Sequence, residues 1–572
     1  MSAILSADDL NDFISPGVAC IKPVEVKNHA KSKPNENQDE YEIQIGIDGT
    51  PLEVSKEEGT VSSLEPAQIS LSDCLACSGC ITSAEEVLVS QHSYKELINA
   101  LQKNPDKKFV ASISHQVRSS IAGAYNMSIA EADKFLINLF INKLGFSYIV
   151  GMGLGRKLSL TYGSNEIIKL KLQQQGQQGQ QDIAFPLLSS ACPGFVLYAE
   201  KTHPELLPRI NTIKSPQQIT GLLLKKLSSA SLNIAESQIY HLSIMPCFDK
   251  KLEAARPEKD FETDEVIIEE SKDVDCVITA KELIQLLIDE NFNIEELINE
   301  VKTDNANENS DLNYLYNKFA PNFWPSPIDS WLSDEGSASG GYALQYLLNF
   351  KQYLIDNHLA NEEVLDIQYL EGRNSDISEL RLVNIIKNET IASSAILNGF
   401  RNIQNLVRKL KTVNSSIKAS SGGSGLAAKR RAREAAKKKN NINNNNNNNT
   451  TSHEEQEASP KEVADASRVD FVEIMACPGG CINGGGQISP PAYEQSISNS
   501  KLLQKNWLKK IEDVYYSIPF TRSGYTNDLN SWITEFCNTF NVDTNRLLRT
   551  KFRHIEQENN PAAAALSLGS KW

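Results

Sequence analysis

The placement of four widely separated cysteines restricts the fold of this chain more than any other sequence feature. Cys192 lies in SSACPGF, Cys247 in IMPCFDKK, and Cys477 and Cys481 in MACPGGCINGGGQ. Each stands at or just after a predicted strand end, beside proline or glycine, and glycine lets backbone N–H groups approach a sulfur closely. A helix beginning at Cys477 would place Cys477 and Cys481 on one face. Two interpretations follow, a buried four-thiolate iron–sulfur site and structural cysteines at tight turns, and the recurrence across three segments favours the first.

A second group of cysteines forms the tight run Cys74-x2-Cys77-x2-Cys80. Such a run brings three thiolates around a small loop, as an iron–sulfur cube requires, with the fourth thiolate arriving from elsewhere in the chain. Cys20 is the only cysteine upstream of the run and is therefore the candidate for the fourth ligand. Zinc is the rival metal, but it prefers paired C-x2-C units separated by a dozen or more residues. Unligated thiols are the third alternative.

The two remaining cysteines lack the spacing of metal ligands. Cys276 lies in the strand-like VDCVITA and Cys537 on the apolar face of ITEFCNTF, so we expect both to be core thiols. The first residues, MSAILSADDLNDF, carry acids where a signal peptide would carry bases. We therefore expect no secretory or mitochondrial signal, a reducing cytosolic compartment, and no disulfides among these cysteines.

Charge and hydropathy exclude two further classes of protein. The formal net charge is -15, which argues against a nucleic-acid-binding protein as a whole because phosphates favour cationic partners. No run of 18 or more apolar residues indicates a membrane span. The basic run from Lys418 to Lys439 has two interpretations, a nuclear-import or RNA-binding patch and a solvated insert in a loop, and we favour the insert.

Hydrophobic periodicity predicts an α/β fold with parallel strand pairing. KKFVASIS, FSYIVGMGL and HLSIMPC have the character of short buried strands, whereas SIAEADKFLINLFINKLG and SPQQITGLLLKKLSSA show helical spacing. Strands that alternate with helices of this length are typical of layered α/β domains. A further alternating strand is predicted from Tyr41 to Ile47, continuing toward Pro51, and a helical tail is predicted near 500–560.

Composition divides the chain into five parts. The stretches 253–275 and 291–325 are rich in acids and asparagine and are interpreted as insertions, and 414–469 is a basic and Asn-rich segment expected to be disordered. The predicted organisation is an N-terminal iron–sulfur domain with an acidic linker (1–83), α/β lobes with insertions at about 253–325 (84–413), the disordered insert (414–469), the C-terminal part of the α/β domain (470–560), and a tail (561–572).

Four motifs in the same order resemble those of the iron-only hydrogenase superfamily. They are SSACPGF (189–195), MPCFDKK (245–251), the glycine-rich turn SASGGYA (337–343) and MACPGGCINGGGQ (475–487). The resemblance spans roughly residues 70–540. It implies a two-lobed fold with parallel-sheet α/β lobes, preceded by a small N-terminal iron–sulfur domain.

One departure from the hydrogenase pattern bears on function. Hydrogenases place a proton-donating cysteine immediately before the ligand cysteine, and this chain has Ala191 there, which cannot carry protons. Lys250 matches a hydrogenase lysine at the active cluster; without the proton-shuttling cysteine, it either offsets cluster charge or faces solvent.

The pattern is similar to the hydrogenase-like Nar family of cytosolic iron–sulfur assembly. This resemblance implies two 4Fe–4S clusters, held by Cys20, Cys74, Cys77 and Cys80 (cluster 1) and by Cys192, Cys247, Cys477 and Cys481 (cluster 2).

Membership of that family would make the protein a carrier rather than an enzyme. The resemblance implies cluster relay from a cytosolic scaffold of P-loop NTPases to a targeting complex containing a WD40 propeller, which serves apo iron–sulfur proteins. It places the protein in the cytoplasm, with the nucleus as a second compartment. Trp572 resembles a terminal targeting tag, although Lys571 departs from the usual form, and a frayed tail is the alternative. The alternative function is a diverged hydrogenase or another electron-transfer iron–sulfur oxidoreductase.

Overall fold

The computed structural model describes residues 41–45, 51–55, 61–63, 91–176, 185–257, 272–303, 311–421, 463–490, 500–521 and 525–555. The chain divides into two compact units, Met1–Ile81 and Thr82–Trp572. The strands are β1 (Tyr41–Ile45), β2 (Pro51–Ser55), β3 (Val61–Ser63), β4 (Lys108–Ile113), β5 (Tyr148–Gly151), β6 (Leu187–Leu188), β7 (Ile239–Met245), β8 (Cys276–Thr279), β9 (Leu365–Glu371), β10 (Ile377–Asn384), β11 (Glu389–Asn398) and β12 (Phe471–Met475).

All helices among the described residues lie in the second unit. They are α1 (Tyr94–Lys103), α2 (His115–Ala124), α3 (Ile129–Ile137), α4 (Gly153–Gly176), α5 (Pro193–Thr202), α6 (Pro216–Leu232), α7 (Asp249–Ala254), α8 (Ala280–Asp289), α9 (Ile294–Thr303), α10 (Leu312–Lys318), α11 (Tyr342–Asp356), α12 (Phe400–Ser421), α13 (Ser500–Tyr516), α14 (Tyr525–Phe540) and α15 (Thr544–Leu548). The predicted helical tail therefore ends at Leu548, and residues 551–555 are irregular.

The first unit contains a three-stranded antiparallel sheet in the order β1-β2-β3. The strand that we predicted to run from Tyr41 toward Pro51 is instead a hairpin, in which Ile45 pairs with Pro51.

A four-stranded parallel sheet in the order β5-β4-β7-β8 forms one centre of the second unit. Its strands read as continuous apolar runs because helices cover both faces, and β4 and β7 are almost wholly buried. Helices α2 and α3 pack on one side with Val117, Ile121 and Phe135. Helices α4 and α6 contribute the apolar cluster that contains Val110 and Val150.

A five-stranded mixed sheet in the order β6-β12-β11-β10-β9 forms the second centre. Strands β6, β12 and β11 are parallel, whereas β10 and β9 pair antiparallel. Its core contains Tyr346 and Phe350 of α11 and Leu382 of β10. The parallel pairing expected from the sequence is thus confirmed for the strands that lead to cysteines. At the opposite edge of this sheet, β10 and β9 add antiparallel strands.

The segment that composition marks as an insertion contributes to the core. Strand β8 pairs with β7, and Leu297 and Val301 of α9 and Tyr316 of α10 belong to the main apolar cluster. Helix α9 is strongly amphipathic in sequence, so its many acids occupy the solvent side and mask the buried stripe. No helix among the described residues is both long and apolar enough to cross a membrane.

Candidate iron–sulfur site

Three parallel strands end at the cysteines of the dispersed set. Strand β6 leads to Cys192, β7 to Cys247, and β12 to Cys477. Ligand sites in open α/β sheets form beyond the carboxyl ends of strands, where loops from neighbouring strands meet. Because Cys247 follows the four-stranded sheet and the others follow the five-stranded sheet, this site draws on both sheets.

The four thiols lie close enough to influence one another electrostatically. Burial raises the pKa of Cys247 well above its ordinary value, and the charges of Asp249, Cys477, Cys481 and Cys192 raise it further. Burial likewise raises the pKa of Cys481 to about 12, with Cys192 as the next cause. Cys192 is buried and the other three are half-buried, and all four are free of disulfide bonds. The structure therefore brings the four predicted ligands together.

Glycines in the motifs allow the three segments to approach one another. A Cβ atom on Gly194, next but one after Cys192, would stand 2.7 Å from Oδ2 of Asp249 and 3.5 Å from Cβ of Ala476. A Cβ on Gly484 would stand 2.4 Å from the carbonyl oxygen of Pro246. Because the Pro246 carbonyl belongs to the backbone, a side chain at 484 would push the segment that carries Cys247 away, whereas a side chain at 194 would displace the Asp249 carboxylate.

The segment between Cys477 and Cys481 is a turn rather than the start of a helix. Gly479 and Gly480 have φ of +71° and +83°, a left-handed conformation that favours glycine, and Gly480 N donates to the Cys477 carbonyl at 3.0 Å. A helix beginning at Cys477, the condition under which both sulfurs would share one helical face, does not form because these glycines interrupt it. Asp376, which sequence reasoning missed, fixes the turn by accepting the N–H of Gly479 at 2.7 Å.

Backbone and charged groups surround the sulfurs. The N–H of Ala476 donates to Sγ of Cys192 at 3.3 Å, which ties the end of β12 to the start of α5. Lys250 is buried and its Nζ donates to both carboxylate oxygens of Glu253, at 3.0 and 2.9 Å. The solvent-facing alternative for Lys250 is therefore wrong. Its charge lowers the pKa of Cys192 and Cys481 against the larger, raising effect of burial.

A carboxylate also lies beside the thiols. Burial raises the pKa of Asp249 to about 6, while Lys250 lowers it. Asp249 in turn raises the pKa of Cys192 and Cys247. Burial of Cys192, Cys247 and Cys481 next to this carboxylate disfavours their thiolate forms. A bound cationic centre would reverse that balance because a coordinating thiol is deprotonated.

The chemistry of this donor set fits an iron–sulfur cube. Cubes are held by four cysteine thiolates, and Cys192, Cys247, Cys477 and Cys481 supply that number. In the described part of the chain, no three His, Cys, Asp or Glu side chains converge as the ligands of one metal ion would. A cube presents a separate iron atom to each thiolate, so its ligands stand further apart than those of a single ion.

The remaining candidate residues divide into two groups. Cys20, Cys74, Cys77 and Cys80 lie outside the described residues. Cys276 is fully buried in β8 and Cys537 is buried in α14, as expected of core thiols.

Ala191 packs against the apolar cluster of the five-stranded sheet. The residue before Cys192 thus makes an apolar contact, and nothing at this position donates or accepts a proton.

Comparison with known proteins first defines the class. The family model for the iron only hydrogenase large subunit, C-terminal domain, matches residues 107–485. The apo [FeFe]-hydrogenase HydA1 of Chlamydomonas reinhardtii superposes with a TM-score of 0.50 at 18% identity, covering 81% of this chain and 99% of that one. The chain therefore has the iron-only-hydrogenase-like α/β fold.

Full-length relatives define the family more narrowly. The chain is 51% identical to a protein of Debaryomyces hansenii and 50% identical to one of Candida albicans, with 100% of each chain covered. A Yarrowia lipolytica protein is 39% identical over 99% of this chain and 100% of the relative. All three are named cytosolic Fe-S cluster assembly factor NAR1. The chain belongs to this NAR1 family.

Proposed function

We propose that this protein binds two 4Fe–4S clusters and relays clusters in cytosolic iron–sulfur protein assembly. The observation that carries the proposal is the meeting of Cys192, Cys247, Cys477 and Cys481 at the ends of parallel strands from two sheets. The names of full-length relatives support the assembly role. Cluster 1 would be held by the N-terminal residues Cys20, Cys74, Cys77 and Cys80.

The role proposed is non-enzymatic. A bound cube would supply an electron-accepting and exchangeable inorganic group, while the chain's own residues hold its thiolate ligands in place. Hydrogen chemistry needs a proton donor beside the cluster, and Ala191 packs in an apolar environment instead. A diverged hydrogenase or electron-transfer oxidoreductase is the competing function.

The partners proposed are members of the same assembly machinery. They are the scaffold P-loop NTPases, a targeting complex with a WD40 propeller, and apo iron–sulfur proteins. We propose the cytoplasm as the compartment, with the nucleus as a second one, and no direct nucleic-acid binding. We also propose Trp572 as a contact to the targeting complex, because its indole and terminal carboxylate suit an apolar pocket with a cation. The five-part domain division of the sequence analysis is proposed together with these roles.

Cluster content tests the proposal directly. Protein purified and reconstituted without oxygen is expected to contain about eight iron atoms and eight acid-labile sulfides, as two cubes require. Zinc without sulfide would exclude the proposal. Infrared bands of CO and cyanide ligands, or hydrogen evolution with a strong reductant, would favour the competing enzyme.

The two clusters are proposed to differ in lability. Cluster 2 joins three segments of the core, so its loss requires several Fe–S bonds and local packing to open together, and its binding adds to folding. Cluster 1 rests on a short run and a distant cysteine, and we assign it the exchange role. Cys77→Ala is expected to lose cluster 1 and remain soluble, whereas Cys247→Ala is expected to lose cluster 2 and solubility. A soluble Cys247→Ala protein with full iron at the other site would contradict the structural role.

A further inference from the structure

The glycine-rich turn SASGGYA (337–343) has no role in the site described above, although it leads directly toward it. A fully buried carboxylate, Glu473 of β12, holds the turn. Glu473 accepts the backbone N–H of Ala343 at 2.9 Å and that of Gly341 at 3.3 Å, and it also accepts a hydrogen bond from the hydroxyl of Ser337. These contacts lie at the first turn of α11, where a carboxylate is favoured by the helix dipole.

The same turn also positions a second serine, Ser339. Oγ of Ser337 accepts the backbone N–H of Ser339 at 3.2 Å, which fixes the position of Ser339. Oγ of Ser339 in turn accepts the backbone N–H of Cys481 at 2.9 Å. A Cβ on Gly480 would stand 2.2 Å from the Ser339 hydroxyl, so the close approach of serine and cysteine depends on glycine at 480.

The Ser339 hydroxyl lies beside Cys481, because its Oγ is 2.9 Å from the backbone nitrogen of that residue. A hydroxyl that accepts one hydrogen bond still has its own proton to donate. The donor is neutral, so it stabilises a thiolate without adding a charge to the site.

We propose that Ser339 donates a hydrogen bond to the Cys481 thiolate when that thiolate holds a cluster, and that Glu473 is the positioning residue that sets Ser339 through Ser337. This inference rests on the proposed function, because it requires a cluster on Cys481. Hydrogen bonds to ligand sulfurs tune cluster potentials, and they raise the potential because they stabilise the more negative, reduced cluster.

The first test measures reduction potentials in the full chain, reconstituted anaerobically. Wild type, Ser339→Ala and Ser339→Thr are titrated with dithionite and followed by electron paramagnetic resonance. Ser339→Ala is expected to make one of the two clusters about tenfold harder to reduce at a given potential, a shift of about 59 mV for one electron. Ser339→Thr keeps the hydroxyl and is expected to restore the wild-type value.

A matched control separates this effect from the loss of any buried serine. The hydroxyl of Ser164 in α4 donates to the Leu160 carbonyl at 2.6 Å, within its own helix, and Ser164→Ala is expected to leave both potentials unchanged. If Ser339→Ala loses the cluster, iron content is compared between Ser339→Thr and Ser339→Val, which share a shape. Iron retained only with threonine supports the proposal, and loss with both overturns it.

The second test isolates the positioning role of Glu473. Glu473→Gln removes a negative charge, which by itself raises the potential, and disturbs the turn, which lowers it. In the Ser339→Ala background only the charge effect remains. The shift in reduction potential caused by Glu473→Gln is therefore expected to be more negative in the wild-type background than in the Ser339→Ala background. Equal changes in both backgrounds would show independent action and overturn the positioning role.

The outcomes distinguish this inference from the function on which it rests. A wild-type potential in Ser339→Ala, with both clusters bound, overturns the inference and leaves the proposed function standing. If Cys481→Ala keeps the full iron and sulfide of the wild type, no cluster rests on Cys481. In that case the ligand assignment of the proposed function fails, and the inference fails with it.

Discussion

The two sheets that carry the cysteines of the candidate site are stabilised differently. Beside the four-stranded sheet, the side chains of Arg118 and Asp133 form an ion pair with exposures of only 1% and 0%. In the five-stranded sheet, the pair of Lys171 and Asp470 is 11% and 18% exposed, and Tyr369 on the edge strand β9 is 62% exposed. One wall of the site is therefore a tightly buried scaffold, and the other has a more solvated edge.

This difference matters for a cluster that joins both walls. Cys247 follows the buried sheet, and Lys251 holds its helix in place by donating to Glu282 and to the His92 carbonyl, each at 2.6 Å. Cys477 and Cys481 depend on a glycine turn and a few hydrogen bonds. Cluster binding would order that turn and so contribute to the free energy of folding. Cluster 2 is therefore expected to stabilise the five-stranded side more than the four-stranded side.

The largest expected effect comes from the buried ion pair. Arg118 donates to both carboxylate oxygens of Asp133, at 2.7 and 2.6 Å, and Tyr316 donates to the same carboxylate at 2.6 Å. Asp133→Asn leaves a buried guanidinium without its counter-ion and is expected to cost about 3–5 kcal/mol. Hydrogen exchange of the peptide covering β4 measures this loss. The variant should change the exchange rate of the peptide covering β10 by less.

A double variant is the control for this prediction. Replacing both partners, as Arg118→Met with Asp133→Leu, removes the uncompensated charge and is expected to restore much of the lost protection. If the single variant costs less than about 1 kcal/mol, as exposed pairs do, the four-stranded sheet is not the more rigid wall.

Local sequence patterns predicted one sheet better than the other for a physical reason. Strands β4, β5 and β7 are buried on both faces, so their apolar runs are visible in sequence. Strand β9 alternates imperfectly because it lies at an edge. Contacts between distant residues leave no local pattern: Glu473 binds Ala343 across 130 positions. The meeting of the four cysteines could be predicted because proline and glycine mark each strand end.

A smaller effect is expected from pH, again on the four-stranded side. His241 of β7 donates from Nδ1 to the Asp273 carbonyl and accepts at Nε2 from the Ser112 hydroxyl, at 2.8 Å each. Burial lowers the pKa of His241 from 6.5 to about 4. The unfolded chain therefore takes up a proton near pH 6.5 while the folded protein does not, and stability falls as pH drops, levelling off below about pH 4.

The slope approaches about 1.4 kcal/mol per pH unit between the two pKa values, so the expected loss between pH 6.5 and 5 is roughly 1.5 kcal/mol. Hydrogen exchange of β7 at these two pH values, corrected for intrinsic rates, measures it. His241→Gln has no titrating ring, so its slope should be shallower by that amount. A wild-type slope equal to that of the variant would show that the pKa of His241 is not lowered by folding, so that the ring takes up its proton over the same pH range in both states.

The smallest effects test the five-stranded side. Nζ of Lys171 lies 2.5 Å from Oδ2 of Asp470, which also accepts the N–H of Ser393 at 2.8 Å. Because this pair is partly solvated and Asp470 keeps its backbone donor, Lys171→Met is expected to cost only about 1.5 kcal/mol, read from exchange of β11 and β12. An exposed pair on the four-stranded side serves as the reference: Lys143 and Glu300 are 34% and 41% exposed, and Lys143→Met should change stability by less than about 0.5 kcal/mol. A cost at Lys171 as large as that at Asp133 would remove the distinction between the two walls.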